Sequence, residues 1–281
     1  MEDISSKLFT AFNEVTYHDE PHKYFLDGKQ LISVTTLLGK YEYEFREDYW
    51  SGVKSKQYDI PQSEILHLWK YINKIGTERG SIVHDYAENL FLNKIFPYPK
   101  QRIIDMFGND PIRDSYLKAK KHVDKFYRFS QGRLIPVKTE LVVFDREYGI
   151  GGMVDLLFWN IKAQEFQIWD WKTNKEFSGW HPKGYVDPKT EEVYEEDTYT
   201  NKTEGDENYT GVLGFLKKND MNHYSLQLGT YKHIIEKNTG IKLGQSYLVW
   251  VSHRENDFHA IKTVDKDIFI QKMINEYVTS N

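Results

Sequence analysis

An aspartate and a lysine separated by one residue end a short apolar run, Ile168-Trp169-Asp170-Trp171-Lys172. Successive side chains of a strand point to opposite faces, so Asp170 and Lys172 would project to the same side. A carboxylate and an ammonium side by side at a strand end are suited to metal binding and hydrolysis. The alternative is an exposed ion pair that contributes little to stability.

A second carboxylate lies inside a strongly apolar segment, Gly151-Gly152-Met153-Val154-Asp155-Leu156-Leu157-Phe158. A charge buried in such a strand must be paired, hydrogen-bonded or bound to a cation. The neighbouring strand would supply Asp170 and Lys172. The three residues together predict either a hydrolytic site or a buried Asp-Lys salt bridge.

Upstream of these strands, four residues recur at every fourth position and so share one face of a helix: Gly76, Gly80, His84 and Glu88. Each interior glycine costs a helix about 1 kcal/mol relative to alanine, which predicts that another part of the molecule or a DNA backbone approaches closely there. His84 is either a ligand or a hydrogen-bonded core histidine.

Taken together, these motifs resemble the RecB-like branch of the PD-(D/E)XK nuclease superfamily. The resemblance covers about residues 76–251 and consists of four short motifs in the family's order: Gly80-x-x-x-His84-x-x-x-Glu88, Gly152-x-x-Asp155, Asp170-Trp171-Lys172-Thr173 and Gln227-x-x-x-Tyr231. The segment 31–38 is also similar to the start of the core in phage exonucleases and in the mitochondrial genome maintenance exonuclease.

The resemblance implies a catalytic set of Lys172, Asp170 and Asp155. His84, Asp155 and Asp170 would hold a divalent metal ion, together with the main-chain carbonyl of Trp171. Lys172 would orient or deprotonate the attacking water.

Five further residues receive supporting roles from the same resemblance. Glu140 is placed where many relatives carry another acidic residue, so it is a candidate ligand for a second metal. Site support or DNA binding is expected of Gln227, Tyr231, Glu88 and Arg79.

The expected cofactor is Mg²⁺ or Mn²⁺, as one or two ions, because two carboxylates and an imidazole suit cations that favour oxygen ligands. Such an ion lowers the pKa of a bound water and offsets charge on the phosphate. The chain has no cysteine, which excludes a cysteine-ligated iron-sulfur cluster and any disulfide.

Hydrophobic periodicity and turn residues predict the elements that position these side chains. A hairpin at 24–32 turns at Asp27-Gly28, and Ser33 or Thr35 caps the helix that follows; the segment 41–58 is irregular or partly helical. Further predicted elements are helices at 63–92, 112–130, 222–237 and from 266, and strands at 134–144, 150–159, 165–172 and 245–252. The expected fold class is α/β, a restriction-endonuclease-like mixed central sheet flanked by helices, with core order α-β-β-β-α-β.

Length and charge set the domain organisation. The 281 residues predict one main domain, with an N-terminal hairpin and aromatic-rich segment at 1–62 and a nuclease core at 63–281. Residues 187–207 hold nine carboxylates and two lysines, a net charge of -7. The whole chain has a net charge of -5, so the rest of it carries +2. This acidic stretch, within an insertion at about 180–215, is expected to be solvated and to contribute no core.

The expected partner is DNA with a free end, with a recombinase or a single-strand-binding protein as candidate protein partners. An acidic N-terminus and the lack of a long apolar run predict a cytoplasmic protein with no membrane association. The leading function is a DNA exonuclease of phage-type recombination, replication or repair. The alternatives are a flap or branch endonuclease, an inactive DNA-binding subunit, or a metal or acid-base enzyme acting on another substrate.

Overall fold

The computed structural model describes residues 8–18, 23–186, 191, 193–200 and 207–280. Its helices are α1 (Val34–Gly39), α2 (Glu47–Tyr58), α3 (Gln62–Phe91), α4 (Lys100–Phe107), α5 (Arg113–Ser130), α6 (Asp220–Thr239) and α7 (Asp267–Thr279). Its strands are β1 (Thr16–His18), β2 (Lys23–Leu26), β3 (Lys29–Ser33), β4 (Leu134–Asp145), β5 (Ile150–Asn160), β6 (Glu165–Lys172), β7 (Trp180–His181), β8 (Thr198–Tyr199), β9 (Tyr247–Trp250) and β10 (His259–Lys262).

A mixed sheet forms the centre of the molecule, with strand order β1-β2-β3-β5-β6-β9-β10 and with β4 paired to β5. The β3–β5 and β6–β9 pairs are parallel, and the other pairs of this sheet are antiparallel. Helix α3, the strands β4, β5 and β6, helix α6 and strand β9 follow one another as the sequence predicts. The α/β class with a mixed central sheet flanked by helices is therefore confirmed.

Strand β5 pairs with three strands, because two of them share one of its edges. Strand β4 pairs with one edge of β5 from Ile150 to Asn160. The opposite edge pairs with β3 at Ile150 and Gly151, and with β6 only from Leu156 onward. Residues 152–155 therefore lie between two diverging neighbours, and side chains from other elements have access to this point.

Helices cover both faces of the sheet. Buried side chains of α1, α6 and α7 pack in one cluster with Val154, Leu157 and Ile168. Those of α3 and α5 pack in another with Leu156 and Trp169. In β6, alternate residues enter the two clusters, as the pleat of a strand requires.

The N-terminal hairpin belongs to the same sheet. Asp27 and Gly28, with φ of 50° and 75°, form its turn, and positive φ at both central residues is the condition for the tight turn that suits twisted strands. Ser33 caps α1 by accepting a hydrogen bond from the Thr36 amide. Both features were predicted from the sequence.

Several elements were not predicted. Residues 47–58, expected to be irregular or partly helical, form the regular helix α2, in which only Ser51 is buried. Without an apolar stripe, a helix gives no periodic signal. The short elements α4, β1, β7, β8 and β10 were also missed.

The acidic stretch lies partly outside the described residues, which omit 187–190, 192 and 201–206. Its described end is packed: Thr198–Tyr199 pairs with Trp180–His181, and Thr200 is buried. The expectation of a wholly solvated stretch therefore needs correction for residues 198–200. Within the described part of the chain, no helix combines the length and apolar character needed to cross a membrane.

Candidate functional site

Asp155 occupies the point at which β3 and β6 diverge from β5. Its carboxylate accepts a hydrogen bond of 2.9 Å from the Trp171 amide, which β6 presents just beyond its last pair with β5. The imidazole Nδ1 of His84, on α3, lies 3.4 Å from the same oxygen. The strand and the helix thus bring together two residues that are 71 positions apart.

Asp170 and Lys172 project from β6 toward helix α6. Asp170 is 2% exposed, and its Oδ2 lies 2.5 Å from Nζ of Lys172. This contact is an ion pair, and Oδ2 has no further partner among the described residues.

Helix α6 closes the site from the other side. The carbonyl oxygen of Gln227 lies 3.4 Å from Lys172 Nζ, and its amide donates to the Tyr231 hydroxyl at 3.0 Å. The Tyr231 ring rests on Gly152, where a Cβ atom would lie 2.3 Å from the ring. Glycine at this position therefore allows α6 to approach the sheet.

The ionisable groups of the site shift one another's pKa values. Burial raises the pKa of Asp155, and the neighbouring carboxylate of Asp170 raises it further. Burial lowers the pKa of His84 to about 4, although Asp170 opposes this shift. For Lys172, burial favours the neutral amine, but the carboxylate of Asp170 prevails and raises its pKa. At neutral pH the imidazole is uncharged, and the lysine is an ammonium.

The two glycines on the His84 face of α3 differ in their surroundings. A Cβ at Gly80 would lie 3.3 Å from the Thr173 hydroxyl, so the helix closely approaches the end of β6 there. At Gly76, among the described residues, no atom outside the adjoining helical backbone would lie within 4 Å of a Cβ. Arg79, 6% exposed, donates to the carbonyl of Thr173 at 3.3 Å.

The two other acidic candidates lie farther along these elements. Glu88 is one helical turn beyond His84, and its carboxylate accepts a hydrogen bond of 3.4 Å from Thr139. Glu140 lies opposite Asp155 in the β4–β5 register, with a φ of 46° and an exposed side chain. A role for Glu140 at a second metal stays a prediction.

The donor types at this site suit a hard divalent cation, since they are carboxylates and a neutral imidazole. The buried Oδ2 of Asp170 has Lys172 Nζ at 2.5 Å and no further partner within the described residues, so it keeps acceptor capacity for such an ion. In the geometry seen, however, no three His, Asp or Glu side chains of the described chain converge closely enough to hold an ion. The side chains form two pairs, His84 with Asp155 and Lys172 with Asp170.

Tyr224 was missed by the sequence analysis. Its ring lies under Lys172, with 4.2 Å from Nζ to the ring centroid, and its hydroxyl exchanges hydrogen bonds with Asn174. Asn174 in turn donates to Asp220. Tyr224 precedes Gln227 by three residues and so shares its helical face; extending the 227/231 stripe by one turn would have found it.

No protein-family model matches the chain, and no curated protein matches it in sequence. Among solved structures, it is similar to one described as a "Putative exonuclease" from Eubacterium rectale, with 10% identity, a TM-score of 0.36 and coverage of 72% of this chain and 64% of that chain. The crystal structure of a protein named SSO0001 is also similar, with 10% identity, a TM-score of 0.25 and coverage of 71% and 84%.

The chain thus spans just under two thirds of the length of the first of these proteins. Both TM-scores are below 0.5, so neither similarity carries an argument about fold or function. The fold described above rests on the strand pairing of this chain, and the site rests on its own geometry.

Proposed function

We propose that the protein is a metal-dependent deoxyribonuclease that hydrolyses phosphodiester bonds. The observation that carries this proposal is the meeting of Asp155, Asp170 and Lys172 where β5 and β6 separate, with His84 of α3 against Asp155. Asp170 is buried and Asp155 is partly buried, and each disfavours the charged form of the other, which a bound cation would offset. The motif resemblance adds the substrate, DNA.

In this proposal His84, Asp155 and Asp170 hold Mg²⁺ or Mn²⁺, with Glu140 as a candidate for a second ion. The bound ion would lower the pKa of a water and offset charge on the phosphate. Lys172, as an ammonium held by Asp170, orients the attacking water toward phosphorus. Gln227 and Tyr231 fix the direction of Lys172, and Asp155 is fixed by the Trp171 amide.

Hydrolysis forms one bond from the water oxygen to phosphorus and breaks one bond from phosphorus to a sugar oxygen. The proton lost by the water and the proton gained by the leaving oxygen balance. Because His84 is uncharged at neutral pH, it is available as a ligand without first losing a proton.

A free DNA end is the proposed substrate feature, in keeping with the exonucleases that the motifs resemble. The segment before α3 supports this, because Tyr43, Phe45, Tyr49 and Trp50 are 46–63% exposed. Exposed aromatic rings can stack on unpaired bases. Tyr41, the fifth aromatic of the segment, is buried and serves the core. A cytoplasmic role in phage-type recombination, replication or repair completes the proposal.

The test is cleavage of end-labelled linear DNA and of covalently closed circles by the purified protein. We expect hydrolysis of linear DNA with Mg²⁺ or Mn²⁺, none in chelator, and DNA binding with little turnover in Ca²⁺, which binds the same oxygens in a looser geometry. Full activity in chelator would contradict the metal proposal. If covalently closed circles are degraded as fast as linear DNA, the protein is an endonuclease and not an exonuclease.

A further inference from the structure

A cluster of basic residues lies beside the candidate site, where β6 and β9 end. The two strands are parallel, so the segments that follow them leave the sheet at the same edge. Main-chain and side-chain hydrogen bonds fasten these segments together: Val251 donates to the carbonyl of Lys172, and Ser252 Oγ donates to that of Lys175, each at 2.9 Å. Lys175 and Arg254 are thereby brought to one surface, within a few residues of Lys172.

Arg79 joins this surface from α3. Its guanidinium donates to the carbonyl of Thr173, two residues before Lys175. The side chain is nine-tenths buried, yet within the described chain it has no carboxylate at ion-pair distance. Glu78, the preceding residue, is instead paired with Arg102. A buried charge without a counter-charge is costly. Binding of an anion by the Arg79 guanidinium would offset that cost.

The neighbours of Arg79 add positive charge. Burial lowers the pKa of Arg79, and Arg254 lowers it further. His253 lies among the same groups, since Arg79, Arg254, Lys175 and Lys118 all lower its pKa, after burial as the largest cause. Nδ1 of His253 is buried with no hydrogen-bond partner in the described residues.

Lys118 comes from α5, a helix with many basic residues. Two of its lysines are engaged, Lys120 with Asp124 and Lys125 with Asp257. Lys118 is exposed and lies two helical turns before Lys125, which also donates to the carbonyl of Asn256, on the segment that carries Arg254. One acidic group at this surface is Glu176, which pairs with Arg254. Both of those side chains are at least half exposed, and such a pair is weak enough to exchange for another anion.

We infer that Arg79, Lys118, Lys175 and Arg254, called here the basic cluster, bind a phosphate group of the nucleic-acid strand next to the bond being cut. The inference rests on the proposed function and deepens it by assigning where the strand lies. A phosphate would supply the anion that Arg79 lacks, in the bidentate geometry that guanidinium groups favour. Phosphate contacts of this kind position a strand without reading its sequence.

The test measures binding of a fluorescent single-stranded oligonucleotide by anisotropy in chelator, where no hydrolysis occurs. Lys118→Glu and Lys175→Glu should each weaken binding by about tenfold and reduce the salt dependence of log Kd by roughly one phosphate contact. Lys162→Glu is the matched control, an exposed lysine in the turn before β6, at the far end of that strand. It should bind within about twofold of the wild type.

Arg79→Gln separates charge from hydrogen bonding, because glutamine can still donate to the Thr173 carbonyl. It should lose binding by about tenfold or more with little change in melting temperature, since no ion pair is broken. Oligonucleotides with a 5′-hydroxyl or a 5′-phosphate distinguish an internal phosphate from a terminal one: equal losses assign the cluster to the backbone, and losses confined to the 5′-phosphate assign it to the strand end.

If the Lys118→Glu and Lys175→Glu proteins bind the oligonucleotide as well as the Lys162→Glu protein does, the inference is overturned, even if the wild type cleaves DNA. Conversely, a wild type that binds DNA through the cluster but never cleaves it would support phosphate binding at this surface and contradict the proposed function.

Discussion

The carboxylates of the candidate site differ from Asp145, a buried carboxylate with a structural role. Asp145, 1% exposed at the end of β4, is neutralised by Lys237 at 2.7 Å and accepts from the amides of Tyr148 and Asn238. Asp170 has only the ammonium of Lys172, and its Oδ2 makes no hydrogen bond within the described chain. The same fold thus contains a satisfied carboxylate and an under-coordinated one.

This contrast gives the first prediction. Asp155→Asn and Asp170→Asn should each abolish Mn²⁺ binding in calorimetry, because an amide is a poor ligand for a hard cation. Asp155→Asn should raise the metal-free melting temperature at pH 7, since it removes a carboxyl group whose pKa is raised in the folded state by burial and by Asp170. Asp145→Asn is the control, with metal binding intact and stability lower by about 2–3 kcal/mol, as for a broken, partly exposed pair.

A simple buried ion pair at the site would give a different pattern. Both Asp155→Asn and Asp170→Asn would then destabilise the protein as Asp145→Asn does, with or without metal. Finding that pattern together with unchanged metal binding would rule out the ligand assignment.

Glu42 gives a prediction about pH that does not involve the site. Its carboxylate contacts His223 and Lys218, and their hydrogen bonds, opposed by burial, lower its pKa to about 2. A carboxylate with a depressed folded-state pKa adds stability above its unfolded pKa of about 4, and loses it as the pH falls toward 2. Glu42→Gln should therefore cost about 1–2 kcal/mol at pH 7, after allowing for solvent screening.

The measurement is denaturant unfolding of wild type and Glu42→Gln between pH 7 and 2. The difference between them should shrink as the pH falls below about 4. Glu44→Gln, at an exposed neighbouring position, should match the wild type throughout. A constant difference at all pH values would show that the contacts of Glu42 are not electrostatic.

The sequence motifs pointed to residue types for the site but not to the contacts that these residues make. His84, Asp155, Asp170, Lys172, Gln227 and Tyr231 were found from motifs, and the structure places them together. The contacts of Glu42 with His223, or of Arg79 with Thr173, depend on how distant elements pack. Nothing in local spacing encodes them.

At the scale of elements, α2 and the segment before it have an unusual surface. Tyr43, Phe45, Tyr49 and Trp50 are each about half exposed or more, and Arg46 lies over the Tyr49 ring at 4.7 Å. Exposed rings with adjacent cations suit single-stranded DNA, in which bases stack and phosphates attract positive charge. Sequence alone could not decide between this surface and core packing, because the segment lacks a helical period.

The double variant Tyr49→Ala/Trp50→Ala should weaken binding of single-stranded DNA by about tenfold or more, the loss of one or two stacking contacts. Its melting temperature should be nearly that of the wild type, because both side chains are already about half exposed. Phe129→Ala, on α5, is the control and should bind normally. Normal binding by the double variant would show that Tyr49 and Trp50 do not stack on DNA bases.

Element prediction succeeded where burial imposes a period. The predicted limits of α3, α5, β4, β5 and β6 agree with the structure to within one or two residues. The missed strands have two to four residues, too few for an alternating pattern to stand out. Their positions follow from pairing with distant partners, such as β10 with β9.

For the whole molecule, the sheet joins the N-terminal hairpin to the strands that carry the site through the β3–β5 pair. The packed end of the acidic stretch is part of the same body, because Tyr199 contacts Asn222 of α6 and Lys266 next to α7. Charge composition predicted a solvated segment but could not show where that segment rejoins the core.

This packing divides the acidic stretch into two parts with different expected effects. Replacing 187–192 by a Gly/Ser linker of equal length should leave the melting temperature nearly unchanged. A replacement that extends through residue 200 removes β8 and buried Thr200 and should lower it. Thermal melts of both variants decide this, and an equal, large drop in both would show that 187–192 also contributes to stability.

In the proposed mechanism, the side chains around Asp155 and Asp170 hydrolyse DNA, and Lys172 acts on water rather than stabilising the fold. The most direct test of this mechanism is single-turnover cleavage of end-labelled linear DNA by Lys172→Ala, with Mn²⁺ and DNA binding measured on the same sample. We predict that both kinds of binding persist while cleavage falls by roughly 100-fold or more. Cleavage within a few fold of the wild type, or loss of binding together with cleavage, would contradict the mechanism.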